Sequence, residues 1–365
     1  MHIYMNICFL AQFPPPIHGL SKAVDTLYRS DLNDKYQFSK INITKNSRII
    51  QTLIAIMRCK APVFYFTISQ TKGGNWRDML FLGLIGLIKR KCVVHLHGGY
   101  YRRLMQEDCG GVQKWINWKL MSRVQVGIVL GDSLRKMFEG YIPQERIRVV
   151  SNCVDDEFLP VEITEKLELM RKQNEIHVVY LSNFIKEKGY REVLEIAKKM
   201  KDKGREEDFV FHFAGKFFNK LEQDFFDNYI DKNNLSNIRY HGVVMADEKK
   251  ELLNTGHVMV LLTHYPNEGQ PISLLEGMGN GMAIVTTNHS GIPDIVTESN
   301  GFVCDKHHIE VDDIVAYLEK CWKDREYLCG TCDNNYQWVK DNFTQKKYIE
   351  NMDKVFEEVC YGQEG

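Results

Sequence analysis

The chain has 365 residues, 44% of them hydrophobic and 26% charged, which calls for two domains with a core each and excludes global disorder. No apolar run reaches the ~20 residues of a membrane-spanning helix, and MHIYMNICFL lacks the basic stretch and small-residue cleavage site of a secretory leader. The net charge of −1 hides an asymmetry: residues 1–150 hold 22 lysines and arginines against 9 acids, and the remainder holds 25 against 39. A basic half points to an anionic partner, nucleic acid and anionic lipid both qualifying, although an uneven solvated surface fits the counts nearly as well. Ten cysteines without a disulfide-like spacing suit a reducing cytoplasm. The lone C-x-x-C at 329–332 has no partner ligands in view and reads as surface or core thiols.

In chain order, short β-branched or aromatic runs predict strands at 5–13, 36–43, 62–68, 91–97, 124–130 and 146–151. Periodic stretches near 20–31, 47–59, 76–90, 112–122 and 132–140 predict helices between them. The run 79–88 is too short to span a bilayer and is expected to be a buried helix. Residues 152–174 break the pattern and read as a linker. Alternation then restarts, with strands at 176–182, 208–215, 237–242, 257–263, 282–287 and 301–305. Helices are expected at about 189–203, 219–233, 246–254, 271–280, 310–323 and 344–359. Two βα arrays with near-continuous apolar strands mean two parallel sheets covered on both faces, an α/β fold. Ligands of such sheets sit outside the carboxyl ends of the strands.

The stretch NEGQPISLLEGMGNGMAIV (267–285) is the most informative. Pro271 suits the first turn of a helix, and Gly281 its stop. The amides of EGQPIS then form a helix N-terminus after a strand, a ready anion site. Glu268 and Glu276 on either side would accept hydrogen bonds from hydroxyls. For Glu276 alone, a partly buried residue paired with a lysine is an equally good reading.

At this point EGQPISLLEGMGNGMAIVTTNHSGIPDIV resembles the signature of the family 4 retaining glycosyltransferases of GT-B fold. The shared positions are Glu268, Gly269, Pro271, Glu276, Met278, Gly281, Gly291, Ile292, Pro293, Ile295 and Val296, with the glutamates in E-x7-E spacing. Gly277, Ala283 and Asp294 are mild departures. SNGFVCD (299–305), VVSNCVDDEFLP (149–160) and YLSNFIKEKGYREVLEIA (180–197) resemble further elements of that family. In the last of these Lys188 and Gly189 match, while Asn183 stands where the family usually has arginine; Lys186 and Lys216 could compensate. PPPIHGLSKAV (14–24) resembles the family's glycine loop, with Gly19 as its second glycine and His18 at its first. HLHGGYYRR (95–103) resembles its histidine motif through His97, leaving His95 to packing.

The resemblance implies two Rossmann-like domains facing across a cleft: an acceptor domain at 1–160, a nucleotide-sugar domain at 161–340, and a helix at 341–365 returning to the first. It implies a hexosyltransferase-type enzyme acting with retention. Lys188, Glu268 and His97 would act on the reacting groups. Gly19, Asn183, Gly269, Gln270, Pro271, Ile272 and Glu276 would hold the donor, Glu276 through its ribose. No Asp-x-Asp is present, so no metal or other cofactor is expected. The expected partners are a UDP- or GDP-linked donor, a glycan or lipid-linked acceptor and, through the basic first domain, an anionic membrane surface; nucleic acid is not expected. The location would be cytoplasmic, peripheral at the inner membrane face through KRK (89–91) and RR (102–103). A nucleotide-sugar epimerase or hydrolase on this scaffold is the alternative, as is a non-catalytic donor-binding subunit, motivated by Asn183.

Overall fold

A computed structural model describes residues 5–15 and 19–362. The chain divides into two compact units, Met1–Cys153 with Gln345–Gly365, and Val154–Thr344. Strands of the first are β1 (Met5–Ala11), β2 (Tyr36–Asn42), β3 (Val63–Thr67), β4 (Lys91–His95), β5 (Val126–Val129) and β6 (Ile147–Val149). Those of the second are β7 (Ile176–Leu181), β8 (Phe209–Ala214), β9 (Ile238–Gly242), β10 (Val258–Leu261), β11 (Ala283–Thr287) and β12 (Gly301–Cys304). All pair in parallel. The interior strands β3, β5, β8, β10 and β11 are buried along their whole length. Their continuous apolar runs are what a parallel sheet with helices on both faces demands.

The orders are β2-β1-β3-β4-β5-β6 and β12-β11-β10-β7-β8-β9. The first reverses between β1 and β3, and the second between β7 and β10. Such switch points leave a crevice at the carboxyl edge, where doubly wound sheets bind ligands.

Helix Gln345–Tyr361 belongs to the first unit, where Tyr348, Met352, Val355 and Phe356 join Phe9, Tyr65 and Val126 in one core. Salt bridges fasten its outer face, from Lys35 to Asp353 and Glu357 and from Arg148 to Glu358. At the boundary of the second unit the Val154 N–H donates to the Phe343 carbonyl at 2.8 Å.

Short helical segments at Leu32–Lys35, Tyr101–Arg103 and Leu104–Asp108 were not expected, and three longer elements also differ from the sequence expectation. The stretch read as a linker contains helix Thr164–Lys172, which buries Leu167 and Met170. Residues 132–138 form a 3₁₀ run rather than an α-helix. Helix Arg325–Asn342 was not expected at all. It buries Leu328, Cys329, Cys332, Tyr336 and Val339, so the C-x-x-C thiols are core groups on a helix.

Candidate functional site

The second unit gathers its chemistry at the switch between β7 and β10. Beyond β7 the chain passes Asn183, turns through a short 3₁₀ segment at Lys186–Lys188, and enters helix Tyr190–Asp202 at Gly189. Gly189 has φ +81°, and a β-carbon there would lie 2.5 Å from the Leu262 carbonyl oxygen. Only glycine lets this turn pass against the end of β10. The His264 N–H donating to the Glu187 carbonyl (2.8 Å) ties the two loops together.

This close approach sets Lys188 against Glu268. Lys188 Nζ donates to Glu268 Oε2 at 2.5 Å, and Thr263 Oγ1 donates to the same oxygen at 2.9 Å. The Tyr265 ring lies 5.0 Å from Nζ. Side-chain exposures of 15% and 9% put the pair in a poorly solvated place, where a charge is held by its partner rather than by water. The Glu268 carbonyl accepts from Ser290 Oγ at 2.5 Å, and the Gly269 carbonyl from the Gly291 N–H at 3.0 Å. The loop is thus fixed from the Gly291 side, and Gln270 is buried beside it. Pro271 precedes helix Ile272–Gly279, whose first-turn amides open at this edge. Asn183, Lys186 and Lys216 are exposed on the loops after β7 and β8.

Glu276 sits one turn into that helix and is 3% exposed. Its Oε1 accepts from Lys249 Nζ at 2.6 Å, and Lys249 lies 4.3 Å from the Phe158 ring centroid. The two glutamates of the motif therefore have separate lysines. Lys249, Thr263, Tyr265 and Ser290 are additions that the sequence did not single out. Lys249 is 27 positions from Glu276, and nothing local links them.

In the first unit, Gly19 opens helix Gly19–Tyr28 beyond β1 and is exposed; His18 lies outside the described residues. His97 follows β4, half-buried, with its ring 3.9 Å from that of His95. His95 is fully buried, and its Nδ1 is 2.7 Å from the Tyr65 hydroxyl. Burial, and then the proximity of His97, hold its pKa well below the ordinary range. Of the basic residues expected at a membrane, Arg102 is paired with Glu139 and Arg103 with Glu107. Among the described residues no group of three or more His, Cys, Asp or Glu is placed to hold a metal ion, and no helix is long and apolar enough to cross a membrane.

Residues 163–338 match the family model described as Glycosyl transferases group 1. Comparison with curated proteins finds no match. Among solved structures, HepE from Anabaena in complex with UDP has a TM-score of 0.75 at 14% identity, covering 97% of this chain and 100% of that one. Sucrose-phosphate synthase from Thermosynechococcus elongatus has 0.77 at 11% identity, over 98% and 99%. WaaG, a glycosyltransferase involved in lipopolysaccharide biosynthesis, has 0.65 at 12%, over 98% and 100%. The two-unit architecture is that of these GT-B proteins, and the family match together with these neighbours supports a glycosyltransferase.

Proposed function

We propose that the protein moves a hexosyl group, with retention and without a metal, from a nucleoside-diphosphate sugar to a glycan or lipid-linked acceptor in building a cell-surface polysaccharide or glycolipid. The observation that carries this reading is the Lys188–Glu268–Thr263 cluster at the switch point of the second sheet, beside the first-turn amides of helix Ile272–Gly279. An ammonium has three protons to donate. With one on Glu268, two remain for the oxygens of a leaving diphosphate, whose growing charge the helix amides also meet. Glu268 Oε2 is taken by Lys188 and Thr263, which leaves Oε1 to accept from a sugar hydroxyl. The leaving phosphate then receives the acceptor's proton. Asn183 is assigned to the same donor, and His97 and Gly19 keep the donor roles that the resemblance implies. UDP is the first base to test, because HepE is described with both UDP and UDP-glucose.

For Glu276, the ribose contact competes with a purely structural role, which its burial and its bond to Lys249 favour. The exposed Asn183 in place of an arginine supports a second reading of the whole protein, a subunit that binds donor without turning it over. Purified protein challenged with UDP-, GDP- and ADP-sugars decides between them. Turnover abolished by Glu268→Ala is expected; donor binding without turnover would favour the subunit.

The membrane part of the proposal, a peripheral location at the cytoplasmic face, draws on the charge of residues 1–150. Anionic lipid surfaces attract such lysine and arginine patches.

A further inference from the structure

Away from its carboxyl edge, the first unit carries a second feature that glycosyl transfer does not use. Helices Ile49–Arg58, Lys72–Leu87 and Gly111–Met121 expose large apolar side chains: Ile50, Ile54 and Met57 on one, Trp76, Leu80 and Leu87 on the next, Val112, Trp115 and Trp118 on the third. Leu87 is 77% exposed, and both Trp115 and Trp118 are 55% exposed. The only acid on these helices is Asp78, buried against Arg77. Residues 35–131 as a whole hold 16 lysines and arginines against 3 acids.

Where helix Lys72–Leu87 turns into β4, this face meets a cavity of about 370 Å³, within the ~300–1,000 Å³ of small-ligand sites. Its floor is Leu82, Ile85 and Leu120, and its cations are Lys89, Arg90 and Arg123, with no acid among the lining residues. Arg90 Nε is buried without a hydrogen-bond partner. A buried guanidinium nitrogen left unsatisfied is costly, and phosphate is the anion its fork fits best.

We propose that this pocket seats the phosphate of an anionic membrane lipid, with the acyl chain leaving over the exposed apolar face of the three helices. The inference rests on the membrane reading above and gives it a location. Free phosphate has no use for an apolar floor. A second copy of the chain is disfavoured because a symmetric contact would set this cationic face against itself. Tryptophans beside lysines, as in Lys119 at 4.9 Å from the Trp115 ring, suit the boundary between headgroups and acyl chains.

The test is flotation of the full chain with phosphatidylglycerol vesicles, with phosphatidylcholine vesicles as control. Binding to the first only is expected, weakened about tenfold or more in Lys89→Glu/Arg123→Glu, since each cation near an anionic surface matters at that scale. Trp115→Ser/Trp118→Ser is expected to weaken binding at every salt concentration, and donor turnover with a soluble acceptor is expected to stay unchanged in both variants. Lys89→Glu/Arg123→Glu floating like the parent would overturn the pocket while leaving the membrane reading standing. If the parent does not float, the membrane reading falls, and NMR titration with soluble dihexanoyl phosphatidylglycerol decides the pocket. Shifts lost in the double variant support it; no shifts, or equal shifts with inorganic phosphate, overturn it.

Discussion

The two edges of the second sheet treat buried charge in opposite ways. At the carboxyl edge the two poorly solvated lysines each meet a carboxylate, Lys188 with Glu268 and Lys249 with Glu276. At the amino edge Lys166 and His257 meet backbone and histidine, and only a distant carboxylate, Glu175 at 3.8 Å, faces His177. Lys166 Nζ donates to the carbonyls of Leu253 (2.9 Å) and Asn280 (2.6 Å), at the ends of helices Ala246–Thr255 and Ile272–Gly279. From there a hydrogen-bonded row of histidines crosses the sheet, from His177 near the amino end of β7 through His212 in the middle of β8 to His241 near the carboxyl end of β9, with contacts of 2.9 Å, and the His177 N–H donates to His257 Nδ1 at 3.2 Å. Paired opposite charges can be shared with an incoming ligand. Neutral imidazoles held together by burial answer to protons instead. The carboxyl edge is accordingly where we propose that the donor binds, and the histidine row is what should set the response to pH.

The strongest way to break this contrast is Glu268→Ala. Turnover should fall by at least ~10²–10³-fold, the usual scale for losing one electrostatic stabiliser. Stability should drop by about 3–5 kcal/mol because Lys188 keeps a poorly solvated charge without its partner; steady-state kinetics and urea unfolding read the two effects. Next is Glu276→Ala, expected to cost about 3 kcal/mol for the same reason. Lys249→Met/Glu276→Leu should regain most of that stability, since apolar replacement of a buried pair is often neutral. If the double variant also keeps its donor affinity by calorimetry, the ribose role of Glu276 is wrong.

The histidine row predicts a smaller, graded effect. Burial holds His177 below its ordinary pKa against the opposing pull of Glu175, and burial followed by neighbouring basic groups lowers His257 and brings His212 to about 3. The folded state thus binds fewer protons than the unfolded chain once pH drops below about 6.5. The part of the stability that these histidines govern should be constant above that pH and fall below it by up to ~1.4 kcal/mol per pH unit for each of them. Denaturation at pH 7 and pH 5 measures the slope, and His212→Gln should flatten it. Smallest is Lys166→Met, at about 1 kcal/mol for the hydrogen bonds lost at the carbonyls of Leu253 and Asn280, since burial already lowers the Lys166 pKa to about 7; it is seen as a shift in melting temperature.

Much of this was legible beforehand. The strands were placed within a residue or two because their β-branched and aromatic runs are bounded by polar residues, glycine or proline, and E-x7-E marked the edge where Lys188 and Glu268 meet. What failed has local causes. Helix Arg325–Asn342 carries CGTC, read as surface or core thiols, on its buried stripe, and its many polar and charged residues (Arg325, Glu326, Asp333, Asn334, Asn335, Gln337, Lys340, Asp341, Asn342) masked the 3.6-residue repeat of Leu328, Cys332, Tyr336 and Val339. Helix Thr164–Lys172 has so many charges, with only Leu167 and Met170 buried, that its composition imitates a linker. The lysine of Glu276 stayed hidden because a contact across 27 residues depends on how two helices pack, which no spacing encodes.

The return of helix Gln345–Tyr361 bears on synthesis. Domains generally fold as units, N-terminal first, while the chain is being made. Here the earlier unit lacks Tyr348, Met352, Val355 and Phe356 until the later one has been translated in full. Val154–Thr344 can close its own core as soon as it emerges, whereas the first 153 residues wait with an apolar sheet face uncovered. A nascent chain stalled at residue 344 should therefore recruit chaperones to the older half rather than to the newer one.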